Sequence, residues 1–187
     1  MSIQSNNKVS YLSRMKLDQK YFVPFMGGGA LVTIIFIVYA SFQFKDKQES
    51  NFKKYISENE NLLTEQHLII AKDDSLALNA LQGEKVVLVF WASWSEKSAE
   101  MMAELDELAS NSDVTIVAAA VKDATETVAE VLPDHDFIFI DGAKLFNDLK
   151  VPGIPSYILF DPDGKVVEVT VGYRNGVAQK IQESFSK

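Results

Sequence analysis

The chain of 187 residues contains no cysteine and only two histidines, His67 and His135. Without cysteine there is no disulfide framework and no metal site built from thiolate ligands. The absence is compatible with an oxidising compartment but does not identify one. The histidines form no recognisable metal motif with carboxylates, and we expect each to lie at the surface or at a strand end. No metal or other cofactor is therefore predicted.

Basic residues are also scarce, with 18 Lys and Arg against 26 Asp and Glu. Residues 1–44 carry a net charge of +3, which leaves 14 basic and 25 acidic residues, a net charge of −11, for residues 45–187. An acidic domain repels phosphate backbones, so nucleic acid is not an expected partner. A phosphate-binding loop is missing too, since Gly27-Gly28-Gly29 is not followed by Lys and Ser or Thr.

Charge disappears altogether over the 24 residues from Tyr21 to Phe44. At about 1.5 Å per residue, a helix of this length crosses a hydrocarbon layer of roughly 30 Å, and we predict a transmembrane helix over 21–44 with the membrane as its partner. Two alternatives stay open. A cleaved signal peptide would find small or apolar residues at Val38-Tyr39-Ala40, although the run exceeds the usual apolar region of about 7 to 15 residues. A buried core helix seldom runs this long without a polar face.

This run divides the chain into a leader over 1–20, the membrane helix over 21–44, a stalk over 45–66 and a folded domain over 67–187. The stalk is rich in Lys, Glu, Asn and Ser, with a helix expected through its few apolar residues, Phe52, Tyr55 and Ile56. Lysines flank the membrane helix on both sides, so the positive-inside rule does not decide its orientation.

Hydrophobic periodicity in the domain predicts alternating strands and helices. The predicted strands cover 67–71, 85–91, 114–121, 137–140, 157–160 and 166–171. The predicted helices cover 95–110, 124–131, 143–149 and 175–185. The first of them has one apolar face, formed by Met101, Met102, Leu105 and Leu108. The last two strands form a hairpin around Asp161-Pro162-Asp163-Gly164, where Pro presets the turn and Gly supplies a positive φ.

Three segments resemble the thioredoxin-like family. Residues 89–95, Val-Phe-Trp-Ala-Ser-Trp-Ser, resemble its strand-to-helix entrance, Gly153-Ile154-Pro155-Ser156 resembles its cis-proline loop, and Gly172 stands where the family has a glycine after its last strand. With an anchor and stalk, the chain resembles the membrane-tethered TlpA and ResA type. The resemblance implies an α/β fold with a central mixed sheet flanked by helices. It also implies a cytoplasmic N-terminus, an extracytoplasmic domain, and thiol-disulfide exchange, often in cytochrome c maturation.

The sequence departs from the family where that chemistry takes place. Ser95 and Ser98 match the attacking and resolving cysteines, and a serine alkoxide, with its very high pKa, can neither attack a disulfide nor resolve one. Val89 replaces the buried acid of ordinary thioredoxins, Lys97 the usual proline, and Ala103 the helix proline. We expect the serines to serve as helix caps. A hydrolytic role for Ser95 would need a nearby base, which neither histidine supplies in this fold.

These observations favour a non-catalytic protein with a former active-site groove that binds an extended peptide or a partner protein. The residues expected to form it are Trp94, Ser95, Ile154 and Pro155; the cis proline would leave the backbone of Ile154 open to an added strand. Trp91 is expected in the core and Trp94 beside the groove. One alternative is a thiol-disulfide oxidoreductase whose thiols all come from a partner. Another is a purely structural subunit.

Overall fold

The computed structural model describes residues 19–59, 63–70, 72 and 74–186, the side chains of 19–25 and Lys45 excepted. The predicted leader over 1–20 therefore lies almost entirely outside the described residues. The chain divides into two compact units, Met1–Gln43 and Phe44–Lys187.

The first unit contains most of an apolar helix. Helix α1 runs from Gln19 to Glu58 and includes the whole predicted span of 21–44. From Met26 onward it is long and apolar enough to cross a membrane, with a mean hydropathy of 1.7 and none of that window buried. Large apolar side chains are exposed along it, among them Leu31, Ile34, Phe36 and Phe42. Such an uncovered apolar surface is what a lipid-facing helix presents.

The second unit is an α/β domain. Its strands are β1 (Gln66–Leu68), β2 (Ser75–Ala77), β3 (Val86–Trp91), β4 (Thr115–Ala120), β5 (Ile138–Asp141), β6 (Ser156–Phe160) and β7 (Val166–Val171). Its further helices are α2 (Glu96–Asn111), α3 (Thr125–Val131), α4 (Ala143–Asp148) and α5 (Val177–Ser184). Strands β1 and β2 form a small antiparallel sheet, and the main sheet has the order β5-β4-β3-β6-β7. The sequence predicted most of these elements, but not β2.

The main sheet is mixed, as the sequence predicts. β3 is parallel to β4 and antiparallel to β6, while β4–β5 is parallel and β6–β7 is antiparallel. All six residues of the central strand β3 are buried, because both faces are covered. One face packs against α2 and α5, where the predicted apolar stripe of α2 is buried. The other packs against α4 and the end of α1.

The predicted stalk over 45–66 is corrected by this second face. Phe52 is 3% exposed and Ile56 is fully buried, both within the core cluster of the domain. Tyr55 donates a hydrogen bond of 3.1 Å from its hydroxyl to the carbonyl of Asp148. The helix expected here exists, but its apolar residues, at helical spacing, form a face that the sheet buries. The domain thus begins near Phe44, where the second compact unit begins, rather than at residue 67.

Candidate functional site

Strand register brings the two predicted halves of the groove to the same end of the sheet. Phe90, near the end of β3, pairs with Ser156 at the start of β6, and Ser156 pairs with Val171 at the end of β7. The loop after β3, the loop before β6 and the loop after β7 are consequently neighbours. Trp94 and Ser95 belong to the first of these loops, and Ile154 and Pro155 to the second.

Ser95 and Ser98, which the sequence matches to the family's cysteines, have structural contacts. Ser95 is the N-cap of α2, and its hydroxyl oxygen accepts a hydrogen bond of 3.2 Å from the backbone N–H of Ser98. Ser98 is fully buried, and its hydroxyl oxygen accepts a hydrogen bond of 3.3 Å from the backbone N–H of Ala92. Each hydroxyl therefore satisfies an N–H group near the helix start, as a capping role requires.

The proline loop leaves a stretch of backbone unpaired. The Ile154–Pro155 peptide bond is cis. The carbonyl of Pro155 accepts a hydrogen bond of 2.8 Å from the N–H of Gly172. Gly172 has φ +79°, a conformation that favours glycine, which is why this contact can form. The hydroxyl of Ser156 donates 2.6 Å to the carbonyl of Gly153 and closes the loop. Between these contacts, neither the N–H nor the C=O of Ile154 bonds to another described residue.

The two tryptophans lie where the sequence indicates. Trp91 is buried in the core and packs edge-on against Phe139 at 5.7 Å between ring centroids. Trp94 is 64% exposed. This large exposed aromatic side chain belongs to a loop at the same end of the sheet as the unpaired backbone of Ile154.

The loop that carries Trp94 is fixed by a residue that the sequence did not single out, Asp123. Its carboxylate accepts two hydrogen bonds from Ser93, one of 2.8 Å from the backbone N–H and one of 2.7 Å from the hydroxyl. Asp123 follows β4, which is parallel to β3, so the ends of both strands meet at one edge. Lys122, just before it, has the left-handed φ of +59° that few non-glycine residues adopt. The sequence carries one sign of this role, because the polar pair Lys122-Asp123 directly follows the predicted buried strand over 114–121.

Sequence comparison with known proteins assigns the chain to a family. The family model for Redoxin matches residues 37–183. The chain belongs to the Redoxin family. It is 32% identical over 118 residues to the thiol-disulfide oxidoreductase ResA of Bacillus cereus, which covers 57% of this chain and 68% of that protein. It is also 32% identical over 104 residues to the ResA of Bacillus anthracis, a match that covers 52% of this chain and 60% of that protein.

Solved structures agree on the fold. A secreted disulfide oxidoreductase of Mycobacterium tuberculosis, homologous to DsbE of E. coli, has a TM-score of 0.59 at 18% identity and covers 68% of this chain and 98% of that one. StoA of Bacillus subtilis has a TM-score of 0.52 at 16% identity, and the match covers 66% of this chain and 98% of StoA. Within the Redoxin family, the chain is therefore a thioredoxin-like protein of the TlpA and ResA type.

The structure also places Val89, Lys97 and Ala103, where the sequence is expected to depart from the family pattern. Val89 is fully buried in an apolar cluster, so no acid lies beneath the groove at that position. Ala103 is exposed on α2, which is one helix from Glu96 to Asn111. The ammonium of Lys97 pairs with Glu100 at 2.7 Å and lies 5.5 Å from the ring of Tyr173. The start of α2 is thus linked to the loop after β7.

Glu104 on α2 organises that same loop. Its carboxylate accepts three hydrogen bonds: one of 2.7 Å from the hydroxyl of Tyr173, one of 3.1 Å from the N–H of Gly176 and one of 3.3 Å from the N–H of Ala178. Glu104 therefore caps α5 from a neighbouring helix. Burial acts to raise the pKa of Glu104, but these hydrogen bonds outweigh it and the pKa is lowered. The bond to Glu104 is the main cause that raises the pKa of Tyr173 to about 12.

The histidines lie in other parts of the domain. His67, in β1, is buried rather than exposed, and burial lowers its pKa. His135 lies before β5, where its Nδ1 is 2.6 Å from the carboxylate of Asp106 and its ring stacks on Phe137. Across the described ranges, no group of three or more histidine and acidic residues is arranged to hold a metal ion.

One cavity of the domain is not part of the groove. It has a volume of about 420 Å³ and is lined by Leu78, Val86, Phe160 and the turn of the last hairpin. Val86 pairs with Phe160 at the opposite end of β3 from the Phe90–Ser156 pair. The cavity and the groove therefore lie at opposite ends of the sheet.

Replacing Asp123 with Ala is expected to loosen the loop that carries Trp94. Both hydrogen bonds from Ser93 would be lost, at a cost of about 1 to 3 kcal/mol in the free energy of unfolding. Hydrogen exchange at the amide of Ser93 should become faster. Asp123→Asn keeps one carbonyl acceptor and should lie between Ala and the native residue; equal exchange in all three proteins would contradict the role assigned to Asp123.

Replacing Glu104 with Gln is expected to destabilise the domain near neutral pH by about 0.5 to 2 kcal/mol, the range for losing a helix cap. A carboxylate whose folded pKa is lowered stabilises the fold above its unfolded pKa, and this contribution is lost as the pH falls through the folded pKa. The difference between wild type and variant should therefore shrink below about pH 4.5. Urea unfolding at several pH values measures it, and a constant difference would contradict the assignment.

Proposed function

We propose that this protein is a membrane-anchored member of the Redoxin family that has lost disulfide exchange and binds an extended segment of a partner protein. The binding groove is formed by Trp94, Ser95, Ile154 and Pro155. The observation that carries the proposal is the unpaired backbone of Ile154, next to a cis proline and at the same end of the sheet as the exposed Trp94.

Backbone pairing is the means of recognition that this geometry favours. An extended segment can donate to the carbonyl of Ile154 and accept from its N–H, as a strand added to a sheet does. Such bonds recognise main chain, so specificity has to come from side chains that contact Trp94 and the surrounding loops. Asp123 supports this role, because it holds the loop of Trp94 in one arrangement before a partner arrives and so reduces the entropy cost of binding.

Loss of disulfide exchange follows from the sulfur chemistry that the chain lacks. Exchange begins when a thiolate attacks a disulfide sulfur and expels the other sulfur as a thiolate. Ser95 and Ser98 have hydroxyl groups that stay protonated and are engaged as hydrogen-bond acceptors in the helix start. With no cysteine anywhere in the chain, there is no group to be oxidised or reduced in this way.

The membrane anchor is the exposed apolar part of α1. Its uncovered side chains support insertion in a bilayer. We further propose that the N-terminus is cytoplasmic and the domain extracytoplasmic, which the description of a structural relative as secreted supports. A single cysteine introduced at the exposed Leu68 would be the chain's only thiol, and its labelling by an impermeant maleimide in intact cells reports the side of the membrane.

The net charge of −11 over residues 45–187 indicates the class of partner. Opposite charge speeds association and disfavours acidic partners. A neutral or basic segment of a membrane or extracytoplasmic protein fits this domain best.

Two variants test groove binding. Trp94→Ala should lower recovery of the partner by crosslinking and affinity purification, because an exposed aromatic anchor typically contributes about 2 kcal/mol or more to binding. Ile154→Ala keeps the backbone N–H and C=O that are proposed to bind, and it should lower recovery less. Leu68→Ala is the matched control: Leu68 is 67% exposed but lies in β1, which is not part of the groove. Unchanged recovery with both groove variants would instead favour a purely structural subunit.

The relatives' activity favours one other function, thiol-disulfide exchange with all thiols supplied by partners. In that case the groove would hold a partner's disulfide while another protein's thiolate attacks it. Purified wild-type protein should not accelerate insulin reduction by dithiothreitol. Robust turnover would overturn the proposed loss of exchange.

A further inference from the structure

Strand β7 is an edge of the main sheet, and its outer side has features that favour strand addition. Its sequence, Val-Val-Glu-Val-Thr-Val, has high strand propensity and no proline. In an antiparallel pair, alternate residues direct their N–H and C=O groups away from the neighbouring strand. An edge of this kind is a template for another chain unless it is blocked.

The opposite edge, β5, is already covered. Ile69 forms an antiparallel bridge with Ile140, and the N–H of Ile70 donates 2.9 Å to the carbonyl of Phe139. Self-association by strand pairing would therefore take place at β7.

Two of the outward groups of β7, one N–H and one C=O, bond to two side chains of α1. The carboxylate of Glu49 accepts 3.1 Å from the N–H of Val171, and the ammonium of Lys53 donates 2.6 Å to the carbonyl of Val167. The two side chains are one helical turn apart and bond to residues four apart on the strand. An acceptor meets a strand donor and a donor meets a strand acceptor, so both polarities of the edge are matched.

Apolar packing holds this part of the helix in place. Phe52, beside Lys53, is buried in the same core cluster as Val169, which lies midway between the two bonded strand residues. Ile56, one turn further on, is buried there as well. Burial of Phe52 and Ile56 therefore keeps the side chains of Glu49 and Lys53 beside the β7 edge, and these two side chains make the hydrogen bonds to the strand backbone.

We infer that Glu49 and Lys53 form an edge cap that prevents β7 from pairing with β7 of a second copy of this chain. A copy offers the same donors and acceptors in antiparallel orientation, so an uncapped edge would pair with itself about a two-fold axis. The cap excludes strand addition at β7 whether or not the groove at Ile154 binds a peptide.

The test compares two double variants of the full chain in detergent micelles. Glu49→Ala with Lys53→Ala removes the cap. Lys54→Ala with Glu58→Ala is the matched control, since it also removes one acid and one base, four apart, from the same helix, and that pair is exposed. Hydrogen exchange of the segment 166–171 is measured at low protein concentration, and the oligomeric state by light scattering at high concentration.

The cap-deleted protein should exchange the amide of Val171 about tenfold faster or more, and should form dimers as its concentration rises. The control should match wild type in both. Glu49→Gln keeps a carbonyl acceptor for Val171 and should remain monomeric, which separates loss of the cap from general unfolding. Equal exchange, or equal association, in the cap-deleted protein and the control would overturn the inference.

Discussion

Cysteine at positions 95 and 98 is expected to give this protein the disulfide exchange that we propose the wild type has lost. Ser95 is the N-cap of α2, and a thiol there would lie against the positive end of the helix dipole, which lowers thiol pKa values and favours the thiolate. Ser98 is one turn away, buried at the same helix start, where a thiol can resolve a mixed disulfide.

Ser95→Cys/Ser98→Cys should therefore accelerate insulin reduction by at least about tenfold over wild type. Ser95→Cys alone should form a mixed disulfide with a small disulfide dye without turnover. Ser98→Cys alone should react slowly, because its sulfur would be buried. If the double variant folds but stays inactive, the changes at Val89 and Ala103 have removed more of the exchange machinery than the serines alone.

Replacing Phe52 with Ala is expected to lower the free energy of unfolding by about 3 to 5 kcal/mol, the usual cost of truncating a buried phenylalanine. Phe52 is 3% exposed and packs in the cluster that includes Ile158 and Val169. The effect is large because the residue belongs to the core of the domain. Urea unfolding of the full chain in detergent, followed by tryptophan fluorescence, measures it.

Lys54→Ala, two residues on and exposed, controls for changes to the helix itself and should lie within about 0.5 kcal/mol of wild type. Equal stability of Phe52→Ala and Lys54→Ala would mean that the helical part of the predicted stalk over 45–66 is passive, as its composition indicates.

The sequence predicted the elements that carry strong local signals. β3 is a continuous apolar run, and α2 places its four apolar residues on one face after a capping serine, so both were recognisable without a structure. The serines at 95 and 98 and the Gly-Ile-Pro-Ser loop were recognisable for the same reason, and strand register brings their loops to one end of the sheet. The Redoxin match and the solved relatives confirm the fold that these segments imply.

What the sequence did not predict depends on contacts between distant residues. Asp123 bonds to Ser93 thirty positions away, and Glu49 to Val171 across more than a hundred. Neither pairing leaves a local pattern, since a lone carboxylate is ordinarily a solvated surface group. The segment at Phe52 was misassigned because its polar face dominates its composition, while only its apolar face is buried.

Crosslinking from the groove in intact cells tests the central claim most directly. A photoreactive amino acid in place of Ser95 should capture one discrete partner, and Trp94→Ala in the same protein should abolish that adduct while Leu68→Ala leaves it intact. A groove that yields no specific adduct, or an adduct that survives Trp94→Ala and Ile154→Ala unchanged, would contradict a binding function for the former redox site.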